Sequence, residues 1–293
     1  MALIRKNTPH YLQLMRINKP VGIYLLLWPT LWSLWLAAEG VPSIKNLIIF
    51  ILGVFLMRSA GCVINDYADR DIDAHVKRTT NRPLATGLVT ANEAIYLFIL
   101  LAALAFILVL MTNWLTVGLS LIGAALAAAY PFMKRYTYFP QVILGAAFSW
   151  SVVMAFAAES GQLPKEMWLI YIAVTVWTVA YDTFYAMVDR DDDIRIGVKS
   201  TAILFGDFDR IITAFLQLFV VFVLMLIGYK FELGSIYYLS TVIAACIFAY
   251  QQYLIIDRDR DACFKAFLNN NWVGMVIFIG IACDYAIQSY LAS

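Results

Sequence analysis

Nine apolar runs, each long enough to cross a bilayer, dictate what this chain can fold into. They fall at 21–38, 46–65, 93–112, 114–130, 140–158, 167–187, 211–228, 234–256 and 271–290. A spanning helix needs about 17–25 predominantly apolar residues. Inside hydrocarbon every backbone N–H and C=O must find a partner within the protein, which makes helices of such runs. Composition agrees: 62% of the 293 residues are hydrophobic and 14% are charged, with mean hydropathy +0.77, whereas a soluble domain carries about 25% charge. The expected fold is all-α: one polytopic membrane domain over 1–293, a bundle of nine transmembrane helices, with helices 1–4 at about 21–130 and helices 5–9 at about 140–290.

Only Thr112-Asn113 separates the third run from the fourth, so the count is checked by charge. Of 21 Lys and Arg, nine spans put 17 on the side that holds the N-terminus and three (Lys45, Lys165, Lys230) on the other, with Arg58 alone inside a run (17 + 3 + 1 = 21). Cytoplasmic loops are the ones rich in Lys and Arg, so the N-terminus is expected to be cytoplasmic. Merging two runs would scramble the asymmetry. Met1 to Pro20 shows no charged-then-apolar-then-cleavage pattern of a signal peptide, and the first run is expected to act as an uncleaved membrane signal.

Two acidic clusters stand at the ends of runs on the cytoplasmic side: Asn65-Asp66-Tyr67-Ala68-Asp69-Arg70-Asp71-Ile72-Asp73, and Asp182 followed by Asp189-Arg190-Asp191-Asp192-Asp193. A charged group at a helix centre costs roughly 2.5–3.5 kcal/mol, so carboxylates here call for compensation. Asn65, Asp69 and Asp73 are four apart and predict one helical face, as do Asp189 and Asp193, with Asp182 two turns deeper. Asp71 and Asp192 point off that face. The clusters align at an offset of 120 residues (189 − 69 = 193 − 73 = 120), which suggests a pseudo-repeat; chance similarity of short acidic strings is the alternative. Oxygen ligands so arranged suit Mg²⁺, which takes one or two carboxylates and completes its shell with water and substrate phosphate.

Basic residues border the same side: Arg16, Lys19, Lys77, Arg78, Arg82, Lys134, Arg135 and Lys199. Some serve only topology, yet acid and base together suit a metal-bound diphosphate whose tail lies in the membrane. Arg58 sits within helix 2, seven residues before Asn65 and about 10 Å deeper by helix rise; it is a functional candidate or half of a structural ion pair with Asp182. Tyr67, Tyr130, Tyr181 and Tyr185 offer ring faces to a carbocation, although interfacial anchoring is the commoner reason for tyrosine there. Four scattered cysteines and two histidines, His10 and His75, show no metal or disulfide spacing, and no basic soluble domain exists to bind nucleic acid.

At these residues the chain resembles the UbiA-type intramembrane aromatic prenyltransferases. Asn65, Asp66, Asp69 and Asp73 meet the family's Asn-Asp-x-x-Asp-x-x-x-Asp motif, and Asp189 and Asp193 its Asp-x-x-x-Asp motif. Further segments resemble the branch that prenylates 4-hydroxybenzoate in ubiquinone biosynthesis: Arg16-x-x-Lys19-Pro20, Leu27-Trp28-Pro29-Thr30-Leu31-Trp32, Arg58-Ser-Ala-Gly-Cys62, Lys77-Arg78-x-x-Asn81-Arg82-Pro83-Leu84, Tyr130-Pro131-Phe132-Met133-Lys134-Arg135 and Ala180-Tyr181-Asp182-Thr183. The resemblance implies a Mg²⁺-dependent enzyme of the bacterial inner membrane, with polyprenyl diphosphate and 4-hydroxybenzoate as substrates and no protein partner. It implies metal binding by Asp66, Asp69, Asp73, Asp189 and Asp193, with Asn65 beside them. Diphosphate contacts fall to Lys134 and Arg16, then Lys19 and Arg78. The aromatic carboxylate falls to Arg135 first and Arg58 second, with Asp182 near the ring. Sister enzymes with other aromatic acceptors are the near alternative. A cation-coupled transporter would need polar residues nearer mid-bilayer, and the Asp-Gly-x-x-Ala-Arg signature of CDP-alcohol phosphotransferases is absent.

Overall fold

The computed structural model describes residues 3–292, apart from the side chains of His75 and Ala292, so any role of the His75 imidazole lies outside the described residues. Among the described residues, nine helices of sixteen residues or more occupy the nine predicted places. They are α1 (Val21–Ala38), α2 (Ile44–Asp69), α3 (Ala91–Val109), α4 (Trp114–Ala129), α5 (Pro140–Glu159), α6 (Met167–Ile196), α7 (Asp209–Lys230), α8 (Ser235–Leu254) and α9 (Arg260–Ala292). Eight stretches are long and apolar enough to cross a membrane; α8, whose tyrosines and Gln251 and Gln252 lower its hydropathy, is not among them.

Local chemistry sets several boundaries. Asn113 ends the ambiguity between the third and fourth runs: its Oδ1 accepts the Thr116 N–H at 2.9 Å and starts α4 as a separate helix. Thr90 and Glu93 form a capping box at the start of α3. The helices α2 and α6 run on past their apolar stretches, α2 through Asp69 and α6 through the whole second acidic cluster. One expectation needs correction here. Asp73 does not share the helical face of Asn65 and Asp69; α2 stops at Asp69, and Asp73 opens a short 3₁₀ turn, Asp73–His75.

The core joins α1, α6 and α9. The Trp32 and Trp177 rings stack with centroids 5.6 Å apart. Each indole N–H in this layer has an acceptor on α9: Trp28 donates to Asn271 Oδ1 at 2.9 Å, Trp32 to the Gly274 carbonyl at 2.9 Å and Trp177 to Asn270 Oδ1 at 2.8 Å. In a low-dielectric interior these bonds fix register as well as add stability. A Cβ on Gly274 would lie 2.6 Å from Trp28, so glycine is what lets α1 and α9 approach. In α4 only Thr116 is buried, and exposed apolar side chains cover the outer surface of the bundle, as lipid contact requires.

Outside the bundle, a short helix at Thr8–Leu14 packs Tyr11 and Leu14 against Ala60 and Val63 of α2 and Leu97 of α3. The Glu93 carboxylate, only 2% exposed, accepts from Asn7 Nδ2 at 2.9 Å and from the Tyr11 hydroxyl. Just after this helix the chain turns at Arg16 with φ 57°, a left-handed conformation unusual for a non-glycine residue. Such strain persists where surrounding contacts hold it.

Candidate active site

The bundle holds a half-open cavity of about 1610 Å³, walled by residues of α1 to α6 and α9. One end is charged. Asn65, Asp66 and Asp69 reach it from α2, Asp73 from the following turn, and Asp182, Asp189, Asp192 and Asp193 from α6. Arg16, Lys19, Lys77, Arg78, Arg82 and Lys134 reach it from the connecting segments. The two acidic clusters thus face one space, as their spacing predicts.

Four carboxylates there, Asp66, Asp69, Asp73 and Asp189, are each met by a cation, while Asp182 and Asp193 have no ion pair among the described residues. Lys134 Nζ lies 2.6 Å from Asp69 Oδ2, which also accepts from Asn65 Nδ2 at 3.2 Å. Arg16 grips both oxygens of Asp66 at 2.9 and 3.0 Å. Arg82 bridges Asp66 at 3.0 Å and Asp73 at 2.8 Å. Arg78 donates its Nε to both oxygens of Asp189, pairs with Asp189 again through Nη2, and gives its Nη1 to the Tyr185 hydroxyl while lying 4.5 Å above that ring. Burial opposes these charges, but Tyr185 and Asp189 around Arg78, and Asp66 and Asp73 around Arg82, hold both guanidiniums above the ordinary arginine value. Asp192 sits at the rim, paired with Arg260 at 3.2 Å, and Asp71 is largely exposed.

Deeper in the cavity stand Arg58, Tyr130, Tyr181, Asp182 and Tyr185. The Arg58–Asp182 ion pair weighed from the sequence is not present among the described residues. Arg58 instead donates Nη1 to Cys62 Sγ at 2.8 Å, leans on the Phe148 ring and packs against Gly22, while its buried Nε has no hydrogen-bond partner. A cavity-lining guanidinium that no carboxylate pairs with among the described residues suits an anionic ligand.

Two predicted residues sit elsewhere. Arg135, first choice for the aromatic carboxylate, is not among the cavity-lining residues; it donates to the Ala68 carbonyl at the end of α2 and lies over the Phe132 ring. Tyr67 likewise lies outside the lining. Conversely, Arg82, to which the motifs assign no substrate contact, bridges Asp66 and Asp73 at the centre of the site. Its position within Asn81-Arg82-Pro83-Leu84, nine residues past Asp73, was the available signal.

No three His, Cys, Asp or Glu side chains among the described residues form a ready-made metal cage. The donor set nevertheless fits a divalent ion of the hard, oxygen-loving kind: carboxylates from two walls, with Asp69 Oδ1 buried and lacking a hydrogen-bond partner.

Fold and site together define a class: polytopic membrane proteins whose central cavity sets paired carboxylates and cations against apolar walls. The chain belongs to the UbiA prenyltransferase family, whose profile matches residues 26–277. It is 62% identical, over 95% of its length and 93% of the relative's, to the 4-hydroxybenzoate octaprenyltransferase of Saccharophagus degradans. Among solved structures it resembles a UbiA homologue from Aeropyrum pernix K1, at TM-score 0.80 and 27% identity over 90% of this chain and 97% of that one. A UbiA homologue from Archaeoglobus fulgidus, bound to GPP and Mg²⁺, shares the fold at TM-score 0.68 and 18% identity over 96% of this chain and 99% of that one. The family expected from the ordered motifs is the one found.

Proposed function

We propose that this enzyme transfers the polyprenyl group of a polyprenyl diphosphate to the ring carbon ortho to the hydroxyl of 4-hydroxybenzoate, giving 3-polyprenyl-4-hydroxybenzoate and diphosphate in ubiquinone biosynthesis. The observation that carries this reading is the convergence of Asp69, Asp73, Asp189 and Asp193 with Lys134, Arg78, Arg82 and Arg16 at one end of an otherwise apolar cavity; the 62% identity to a relative of that name supports it.

Asp69, Asp73, Asp189 and Asp193 would hold Mg²⁺, which when bound supplies Lewis-acid stabilisation of a departing diphosphate. Asp66, 1% exposed and gripped by two arginines, is assigned to positioning Arg16 and Arg82 instead of direct coordination. Lys134, Arg16, Arg78 and Lys19 share the diphosphate charge. The allylic C–O bond breaks with its electron pair leaving on diphosphate. A ring carbon of the acceptor supplies the pair for the new C–C bond, and the proton on that carbon is then lost. The ring faces of Tyr130, Tyr181 and Tyr185 shelter the allylic cation, and the apolar walls around them limit its contact with water. Arg58, with its free buried Nε, takes the acceptor carboxylate, and Asp182 lies beside the ring; Arg135 secures the turn that carries Lys134.

In this reading all nine long helices span the bacterial inner membrane as one domain. The N-terminus and the charged end of the cavity are cytoplasmic, and α2 and α6 are corresponding helices of a pseudo-repeat. The test incubates purified enzyme with labelled 4-hydroxybenzoate and a polyprenyl diphosphate, with and without EDTA. A lipid-soluble labelled product that EDTA abolishes and Mg²⁺ restores is expected; absence of that product under every metal condition refutes the reading.

A further inference from the structure

Four of the helix glycines are explained by packing, because an added Cβ at Gly145, Gly228, Gly274 or Gly280 would sit between 2.1 and 2.8 Å from a neighbouring atom. Gly53 and Gly61 are different. Both lie inside α2, where glycine is among the poorest helix formers, and a Cβ at either would meet nothing within 4 Å. Both line the cavity, on the row Gly53, Met57, Gly61 and Asn65, which repeats every four residues along one face. Neighbouring helices do not require these positions to be bare.

What bareness provides is volume. At about 1610 Å³ the cavity exceeds the roughly 300–1,000 Å³ of a typical small-ligand pocket, more than a diphosphate and one aromatic acid need. Away from the charged end its walls are apolar or small, with Ala102, Ala105 and Val109 of α3, Gly123 and Ala124 of α4 and Met154 of α5. By helix rise, Gly61 stands about 6 Å and Gly53 about 18 Å from Asn65 along α2.

We propose that Gly53 and Gly61 are determinants of donor chain length: their missing side chains keep open the arm of the cavity between α2, α3, α4 and α5 through which the prenyl tail runs away from the diphosphate. This rests on the function proposed above, which places the diphosphate at the acidic end. The cavity also reaches Tyr24 of α1 and Leu268 and Asn271 of α9, and a tail that left between those helices would ignore both glycines.

The experiment compares the wild type, Gly61→Phe, Gly53→Phe and Gly118→Phe on 4-hydroxybenzoate with Mg²⁺ and a ladder of geranyl, farnesyl, geranylgeranyl and octaprenyl diphosphates. Gly118 also has open space around it but lies on the exposed face of α4 outside the cavity, so it is the control. Expected are a wild-type profile for Gly118→Phe, and geranyl transfer retained by both cavity variants. Octaprenyl transfer relative to geranyl should fall roughly tenfold or more, with the cut-off at a shorter donor for Gly61→Phe than for Gly53→Phe. Unchanged donor ratios overturn the proposal, as does a reversed order of cut-offs. Equal loss on every donor in both Gly53→Phe and the smaller Gly53→Leu overturns it too. A wild type that prenylates 4-hydroxybenzoate from no donor in the ladder is the separate result that removes the underlying function.

Discussion

Lys134 Nζ lies 2.6 Å from Asp69 Oδ2, while the other oxygen of that carboxylate, Oδ1, is buried with no hydrogen-bond partner. One half of Asp69 is thus neutralised by a lysine on the Tyr130–Arg135 turn, and the other half keeps a buried, unused lone pair. The Asp69→Asn variant keeps the shape but loses the charge. It is expected to insert and fold in the membrane with turnover reduced roughly a hundredfold or more. Turnover by the folded variant close to wild type would remove Asp69 from the metal site.

Lys134 carries the complementary expectation. With the ammonium gone in Lys134→Met, the apparent KM for the prenyl diphosphate should rise roughly tenfold while that for 4-hydroxybenzoate stays near wild type, since one charge-assisted contact is worth about 1.5–3 kcal/mol. Steady-state titrations of each substrate separate the two; equal rises would place Lys134 in general charge balance only.

Arg58 ranks ahead of Arg135 for the aromatic carboxylate in the proposed function. Because Arg58 lines the cavity with a free buried Nε and Arg135 does not line it, Arg58→Met should raise the KM for 4-hydroxybenzoate more than tenfold, roughly the worth of a bidentate arginine–carboxylate contact. Arg135→Ala should instead lower kcat or stability by loosening the turn that carries Lys134. A larger KM effect on the aromatic acid from Arg135→Ala than from Arg58→Met would restore the original order.

Arg82 is expected to matter to stability as much as to chemistry. Breaking a buried ion pair from one side costs about 3–5 kcal/mol, and Arg82→Met leaves Asp73 alone; Arg16 still covers Asp66, so the loss should fall near the lower bound. Thermal unfolding of the detergent-solubilised protein should show a clear drop, partly recovered in Arg82→Lys. An unchanged midpoint in Arg82→Met would mean water already reaches Asp73.

The apolar runs located all nine long helices because hydrophobic length is what a bilayer selects. They placed the helix ends poorly: α2 and α6 continue into their acidic clusters, since carboxylates paired across a cavity cease to be helix-ending signals. Spacing correctly grouped Asn65 with Asp69, and failed at Asp73, where the helix had already ended. The place of Arg135 outside the cavity lining and the bridge made by Arg82 were illegible for a related reason. Adjacent residues on a 3₁₀ turn, such as Lys134 and Arg135, point in different directions, and a residue nine positions past Asp73 folds back only through a loop whose path the linear spacing does not encode.

Asp66, Asp69, Asp73 and Asp189 at the charged end are already matched by guanidinium and ammonium groups, so this part of the cleft is close to electrically balanced by itself. A lone divalent cation would meet competing arginines, and a lone diphosphate would meet competing aspartates. A metal–diphosphate complex meets neither obstacle, because each of its charges releases a partner for the other's use. In the proposed reaction such a cleft would select for cargo that arrives as a pair, and cooperative dependence of rate on metal and prenyl donor is the expected kinetic form of that selection.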